Sequence, residues 1–224
     1  MYHQAMQESF PCELISWERS YMLAKTLAGA ILASGYRPDI VIAIGRGGYV
    51  PARVVCDFLL HDMLTSIKIE HWGVAAEKKP EASVVFPLSA DVAGARLLVV
   101  DDVTDTGGTL TAADDYLAGF DPAEIRTAVL QHKTCSAFVP DYYAETIAEW
   151  RWIIYPWAVY EDLCGFMLRV LRSGPRSRAE IRAELYDRFS LPVGEEDLSA
   201  MAADLARRGM VERRDGMYGL PGTG

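Results

Sequence analysis

The segment Leu97-Leu98-Val99-Val100-Asp101-Asp102-Val103-Thr104-Asp105-Thr106-Gly107-Gly108-Thr109 constrains the fold of this chain more than any other. Leu97–Val100 is apolar on both faces, which reads as a strand buried within a parallel sheet. It runs into two adjacent carboxylates, and Gly107-Gly108 then opens a helix from about Leu110 to Leu117. An earlier segment repeats the pattern. Ile40-Val41-Ile42-Ala43-Ile44 reads as a buried strand, Gly45-Arg46-Gly47-Gly48 breaks it, and a helix to Leu60 follows with Pro51 in its first turn. Strand–loop–helix units in succession predict an α/β fold, with a mostly parallel twisted sheet flanked by helices.

The remaining pattern fits around these units. Ser16 is placed to cap a helix running to Gly35, with Leu23, Leu27 and Ile31 at helical spacing. Ile67-Lys68-Ile69, Glu124–Gln131 and Trp152-Ile153-Ile154 read as further strands. Residues 70–90, interrupted by Pro80 and Pro87, read as a long loop or loose hairpin, and loops of that length are often functional. Val159–Arg172 is an amphipathic helix ended by Ser173-Gly174-Pro175. Ser177-x-x-Glu180 is a capping box opening a helix to about Phe189. A helix from about Glu195 to Arg208 follows, and Asp215-Gly216 joins two short strands as a type I′ hairpin. That order is winged-helix-like, so two domains are expected, 1–172 and 173–224.

Charge and composition remove several function classes. The chain has 224 residues, with 22 Lys and Arg against 31 Asp and Glu, a formal net charge of −9. A polyanion-coating protein needs the opposite balance. No apolar run approaches the roughly 18–20 residues of a membrane span. Met1–Pro11 has neither the basic nor the apolar region of a signal peptide. Cys12, Cys56, Cys135 and Cys164 form no C-x-x-C pair, so free thiols and a cytoplasmic location are expected.

Ligands of open parallel sheets bind beyond the carboxyl ends of the strands, which is where both glycine loops lie. Gly45-Arg46-Gly47-Gly48 is neither a Walker A loop nor a dinucleotide fingerprint. It reads either as an anion-approach loop, with Arg46 adding a fork of donors, or as a tight strand-to-helix turn. The second loop is more specific. Thr104, Asp105, Thr106, Gly107, Gly108 and Thr109 at a helix N-terminus make a phosphate cradle. Asp101 and Asp102 beside such a cradle would repel the phosphate unless they grip hydroxyls or a cation. A sugar phosphate with a diol, or its Mg²⁺, supplies both.

The segment 97–109 resembles the phosphoribosyl-pyrophosphate (PRPP) motif of type I phosphoribosyltransferases. Gly45–Gly48 is similar to the pyrophosphate loop of the same family. The nearest resemblance is to the xanthine–guanine and hypoxanthine–guanine branch, notably its short archaeal-type members, over roughly residues 14–160. It implies transfer of phosphoribose from PRPP to a 6-oxopurine in purine salvage, with release of pyrophosphate, a Mg²⁺ cofactor held at Asp101 and Asp102, and a homodimer or tetramer. It further implies that Arg46 with the Gly45–Gly48 loop neutralises pyrophosphate and that Asp105 is the general acid/base facing purine N7. Lys133 would donate to the 6-oxo group, Trp152 would stack on the base, and the Ile153 main chain would meet the purine edge. Read alone, Lys133 is more often a solvated surface lysine and Trp152 could be only a core tryptophan; the spacing from the motif that matches the family turns both readings. Within residues 70–90, Glu70, His71, Trp72 and Lys78 are available to a lid, with no role assigned.

Residues 173–224 lie outside the resemblance. They hold eight arginines and nine acids, with Arg207, Arg208, Arg213 and Arg214 clustered at the last helix and hairpin. The segment reads as a packing or dimerisation module, or as a DNA-binding module of a PRPP- or nucleotide-sensing transcriptional regulator. A cut at Ser173 is expected to leave the preceding domain folded.

Overall fold

Ser16 accepts a hydrogen bond from the Arg19 N–H and starts helix α1 (Trp17–Ala33), as the sequence predicts. The computed structural model describes residues 8–72 and 78–222. Strand β1 (Cys12–Leu14) precedes α1; β2 (Ile40–Gly45), α2 (Tyr49–Leu59), β3 (Leu64–Trp72), β4 (Lys78–Phe86), β5 (Arg96–Thr104) and α3 (Gly108–Ala118) follow it. Next come β6 (Glu124–Lys133), β7 (Tyr142–Ile147), β8 (Trp152–Ile154), α4 (Val159–Leu171), α5 (Arg178–Phe189), α6 (Glu195–Arg207), β9 (Glu212–Arg214) and β10 (Met217–Gly219).

The chain forms two compact units. The larger spans Ser16–Trp72 and Lys78–Trp150. Its sheet has the order β4-β3-β2-β5-β6-β7, parallel except for β4. Ile42, Ile44, Leu97, Val99 and Val129 line one face against Leu110, Ala113 and Leu117 of α3. These strands are buried on both faces, which is why they read as unbroken apolar runs. Residues 70–90 resolve into the antiparallel β3–β4 hairpin and the stretch leading to β5. Glu70 pairs with Lys68 at 2.7 Å. The 73–77 part of the lid segment lies outside the described residues, as do the side chains of His71, Trp72 and Lys78.

Strand β7 has no counterpart in the sequence reading. It forms the sheet edge, where Asp141 accepts from the Thr127 N–H at 2.8 Å and Glu145 accepts from Gln131 Nε2 at 2.6 Å. Trp152–Ile154 is a strand as expected, but it pairs in parallel with β1 in a separate two-stranded ladder.

The second unit joins the residues up to Ile15 to Arg151 onward. The division therefore falls at Trp150–Arg151 rather than at residues 172–173. Phe10 is the reason within this unit. Its ring meets Phe166 of α4 at 5.9 Å and Phe189 of α5 at 5.3 Å, and those two rings lie 4.8 Å apart. The Phe10 N–H donates to the Arg188 carbonyl at 2.9 Å, and Arg188 Nε returns a bond to the Glu8 carbonyl. Two residues on, Cys12 pairs with Trp152 in the β1–β8 ladder. Burial of each ring contributes about 1.5–3 kcal/mol. The Ser177 capping box is present, and Asp215 and Gly216 both have positive φ, as a type I′ turn requires. A further antiparallel bridge joins Arg176, between α4 and α5, to Tyr218 of the hairpin.

These contacts alter the expectation for a cut at Ser173. Removing residues 173–224 takes away Phe189 and Arg188 and exposes Phe10 and Phe166. Phe189→Ala should cost about 3–5 kcal/mol in urea unfolding, and the chain ending at Arg172 should be recovered insoluble or unfolded by circular dichroism.

Candidate active site

The C-terminal ends of β2, β5 and β6 lie side by side in parallel register, so the loops leaving them converge. The first loop turns sharply: the Gly48 N–H donates to the Ile44 carbonyl at 2.8 Å, and the Gly45–Arg46 peptide is cis. Gly48 abuts the Val100 and Ile44 backbone, leaving no room for a Cβ. A Cβ on Gly47 would run into the Asp102 carboxylate. The first loop therefore packs against the end of β5 at Gly47 and Asp102, and glycine is needed for that approach. Arg46 is exposed at the tip.

The second loop is formed by Thr104–Gly107 ahead of α3. Gly107 is the N-cap in the left-handed region at φ +89°, where a Cβ would also meet Phe138 and Ser136. The helix start has no side-chain cap and no acid in its first turn. Its leading N–H groups are thus presented to an anion by backbone alone. Thr104 is buried, and its Oγ1 has no hydrogen-bond partner.

Asp101 and Asp102 differ sharply. Asp101 is buried and its Oδ1 accepts from the Asp102 N–H at 2.9 Å. Burial, then the neighbouring Asp102 charge, raises the Asp101 carboxyl well above the usual carboxylate range. Asp102 is only half-buried and faces Gly47. Among the described residues no group of three or more His, Cys, Asp or Glu could hold a metal ion. Mg²⁺ seldom uses such cages; one or two carboxylates with waters and substrate phosphates suffice. The Asp101–Asp102 strand end beside a glycine cradle fits that style of binding.

Asp105 and Lys133 form a buried ion pair. Lys133 is 1% exposed, and its Nζ lies 2.7 Å from Asp105 Oδ2. Asp105 Oδ1 accepts from Trp150 Nε1 at 3.0 Å, and Lys133 Nζ sits 4.7 Å from the Trp150 ring centroid. The sequence reading brought Asp105 and Lys133 to one site but missed Trp150. Only its position near the end of the family resemblance, two residues before Trp152, could have drawn attention to it.

The structure thus brings Gly45–Gly48, Asp101, Asp102, Thr104–Thr109 and Lys133 to adjoining strand ends. Trp152 and Ile153 belong to the other compact unit. There the Trp152 N–H donates to the Pro11 carbonyl at 3.0 Å, and its indole Nε1 donates to Asp162 Oδ2 at 3.2 Å. Ile153 is buried on β8.

A mostly parallel sheet of this order, with two glycine loops leaving adjoining strand ends, defines a class of α/β proteins that bind ligands there. Residues 13–162 match the phosphoribosyl transferase domain model, and the chain belongs to that family. A xanthine-guanine phosphoribosyltransferase from Desulfotalea psychrophila is 29% identical over 143 residues, 64% of this chain and 84% of that protein. Another, from Idiomarina loihiensis, is 29% identical over 156 residues, covering 67% and 92%. A purine phosphoribosyltransferase structure from Pyrococcus horikoshii is 28% identical with a TM-score of 0.56, over 65% of this chain and 93% of that one. A Neisseria gonorrhoeae protein solved with bound ppGpp is 27% identical with a TM-score of 0.57, over 66% and 89%.

Removing one partner of a buried ion pair leaves the other charge uncompensated. Lys133→Met should destabilise the fold by about 3–5 kcal/mol. Adding Asp105→Leu should recover most of that loss in the same denaturant titration.

Proposed function

We propose that this chain transfers the 5-phosphoribosyl group of PRPP to a 6-oxopurine (hypoxanthine, guanine or xanthine) and releases pyrophosphate, as a purine-salvage enzyme. The observation that carries this reading is the buried Asp105–Lys133 pair standing beside two glycine loops at the adjoining strand ends. The 105–109 cradle holds the 5′-phosphate on the α3 N-terminus, and Asp101 and Asp102 meet the ribose hydroxyls. Arg46 and the Gly45–Gly48 backbone neutralise the leaving pyrophosphate. Mg²⁺ bound at the Asp101–Asp102 strand end would add positive charge beside the pyrophosphate.

Asp105 accepts the proton of the attacking imidazole ring of the base, and Lys133 donates to the 6-oxo oxygen. Adenine offers an amino group there, a donor facing a donor, and is disfavoured. By the family resemblance Trp152 stacks on the purine and Ile153 meets its edge. The Asp162 bond to the Trp152 indole supports a fixed ring orientation. Exposed Tyr21, Met22, Leu60 and Met63 support self-association as a homodimer or tetramer.

We read residues 173–224 as a winged-helix-like module. With α4 counted as its first helix, the Arg176–Tyr218 bridge supplies the short strand such a module carries between its first two helices. A DNA-reading role is opposed by charge. The third helix would enter the groove by its first turn, and that turn of α6 carries Glu195, Glu196 and Asp197. Arg207 and Arg208 are bonded to Asp204, and Arg214 to Glu212.

A panel of bases assayed with PRPP and Mg²⁺ tests the reading. Turnover of a 6-oxopurine is expected, and preference for adenine or orotate over every 6-oxopurine would overturn it. Asp105→Asn should lower turnover by roughly 10²–10⁴ with PRPP binding retained.

A further inference from the structure

Trp150 is drawn into the site by contacts that neither the sequence pattern nor the family resemblance assigns. It follows β7 in the segment Ala148-Glu149-Trp150 and is half-buried. Its indole N–H holds one oxygen of Asp105 while the Lys133 ammonium holds the other, and the same indole face lies under Lys133. A carboxylate gripped through both oxygens by donors on two different elements cannot rotate about its last bond. A cation over an indole face is likewise fixed, and this contact is strongest when desolvated, as here. The two side chains that meet the base are therefore oriented before it arrives.

We propose that Trp150 is the positioning residue of the acid–base step, holding Asp105 Oδ1 while Oδ2 exchanges partners. The proposal rests on the reading of Asp105 and Lys133 given above. In the free protein Oδ2 is engaged by Lys133. An entering 6-oxopurine offers its oxo oxygen to the lysine, whose ammonium has three N–H donors. Oδ2 then becomes the acceptor for the N–H of the purine imidazole ring. As the other imidazole nitrogen forms its bond to the ribose C1′, the C1′–O bond to pyrophosphate breaks and pyrophosphate leaves with the electron pair. The ring proton passes to Oδ2. Throughout, the Trp150 N–H stays on Oδ1 and keeps the accepting lone pair aimed at the base. An acid–base group must hold this reach and angle to be effective.

The test is Trp150→Phe, which keeps an aromatic face for Lys133 and removes the N–H. Steady-state kinetics should show kcat lowered about tenfold, the effect of losing one hydrogen bond to a charged group, with KM for PRPP within about twofold. Trp150→Ala, which also removes the face, should additionally raise KM for the 6-oxopurine. Unchanged kcat in Trp150→Phe overturns the proposal, and so does an equal loss in the PRPP and purine parameters, the mark of a merely structural residue. Should Trp150→Phe fail to fold, the chain itself decides through the indole N–H resonances of its five tryptophans. Asp105→Asn should move one of them upfield, and no movement overturns the proposal. Absence of any transferase turnover in the unaltered chain is a separate result, and it would overturn the enzymatic reading instead.

Discussion

Taking the Asp105 carboxylate and the Lys133 ammonium out of water costs several kcal/mol for each ion, and the sheet is arranged so that they meet. Asp105 sits just past the end of β5 and Lys133 at the end of β6, and the parallel β5–β6 register sets those ends side by side. Only short separation and full hydrogen bonding make such a pair tolerable, and both are found, at 2.7 Å with Trp150 on the remaining oxygen. Other features follow from this placement. The loop between them must turn tightly, hence Gly107 at positive φ against Phe138. Asp101 is buried on the same strand end, and burial, then the neighbouring Asp102 charge, raises its carboxyl. A pair this buried is poor value as a stabiliser, which is an argument that its retention serves binding chemistry.

The parts of this arrangement that are local in sequence are the parts that can be read from it. The apolar runs of β2, β5 and β6, the Ser16 and Ser177 caps and the Asp215-Gly216 turn are each set by neighbours within a few residues. So are the two glycine loops, because a strand end, a glycine and a helix start are written consecutively. What escaped is non-local. Strand β7 is a polar edge whose Tyr, Glu and Thr mimic a loop, and its place is fixed by Asp141 and Glu145 bonding to β6. Strand β8 reads correctly as a strand, yet its partner is Cys12–Leu14, too short to show a pattern. Trp150 lies 45 residues from Asp105, and no periodicity announces that contact.

The C-terminal helices show the same division. Their order and caps are legible, but their attachment is not. A glycine-proline break at Ser173-Gly174-Pro175 reads as a linker between domains, and the chain does turn there. Yet Phe10, near the start of the chain, fills the space between Phe166 and Phe189, so the break separates helices within one unit rather than two units. The physical lesson is that a linker signal reports backbone geometry, whereas a domain boundary depends on which apolar side chains share a core.

A net charge of −9 sits oddly with a polyphosphate substrate, and the resolution is one of range. At physiological salt the field of distant surface carboxylates is screened beyond about 8 Å. On the reading proposed above, a small anion then experiences its immediate shell: the uncapped N–H groups of α3, the glycine backbone of the 45–48 loop and the Arg46 guanidinium. Those groups are fixed by the fold and carry no opposing carboxylate at the helix start. At the Asp101–Asp102 pair, burial and the neighbouring Asp102 charge push the Asp101 carboxyl well above the usual carboxylate range. Duplex DNA makes a different demand, because many phosphates must be met along an extended face and counterions released at each. On the described part of residues 173–224, Arg207 and Arg208 are bonded to Asp204 and Arg214 to Glu212, which reduces the positive charge available to such a face. A short-range cradle for one small anion is therefore compatible with an acidic chain.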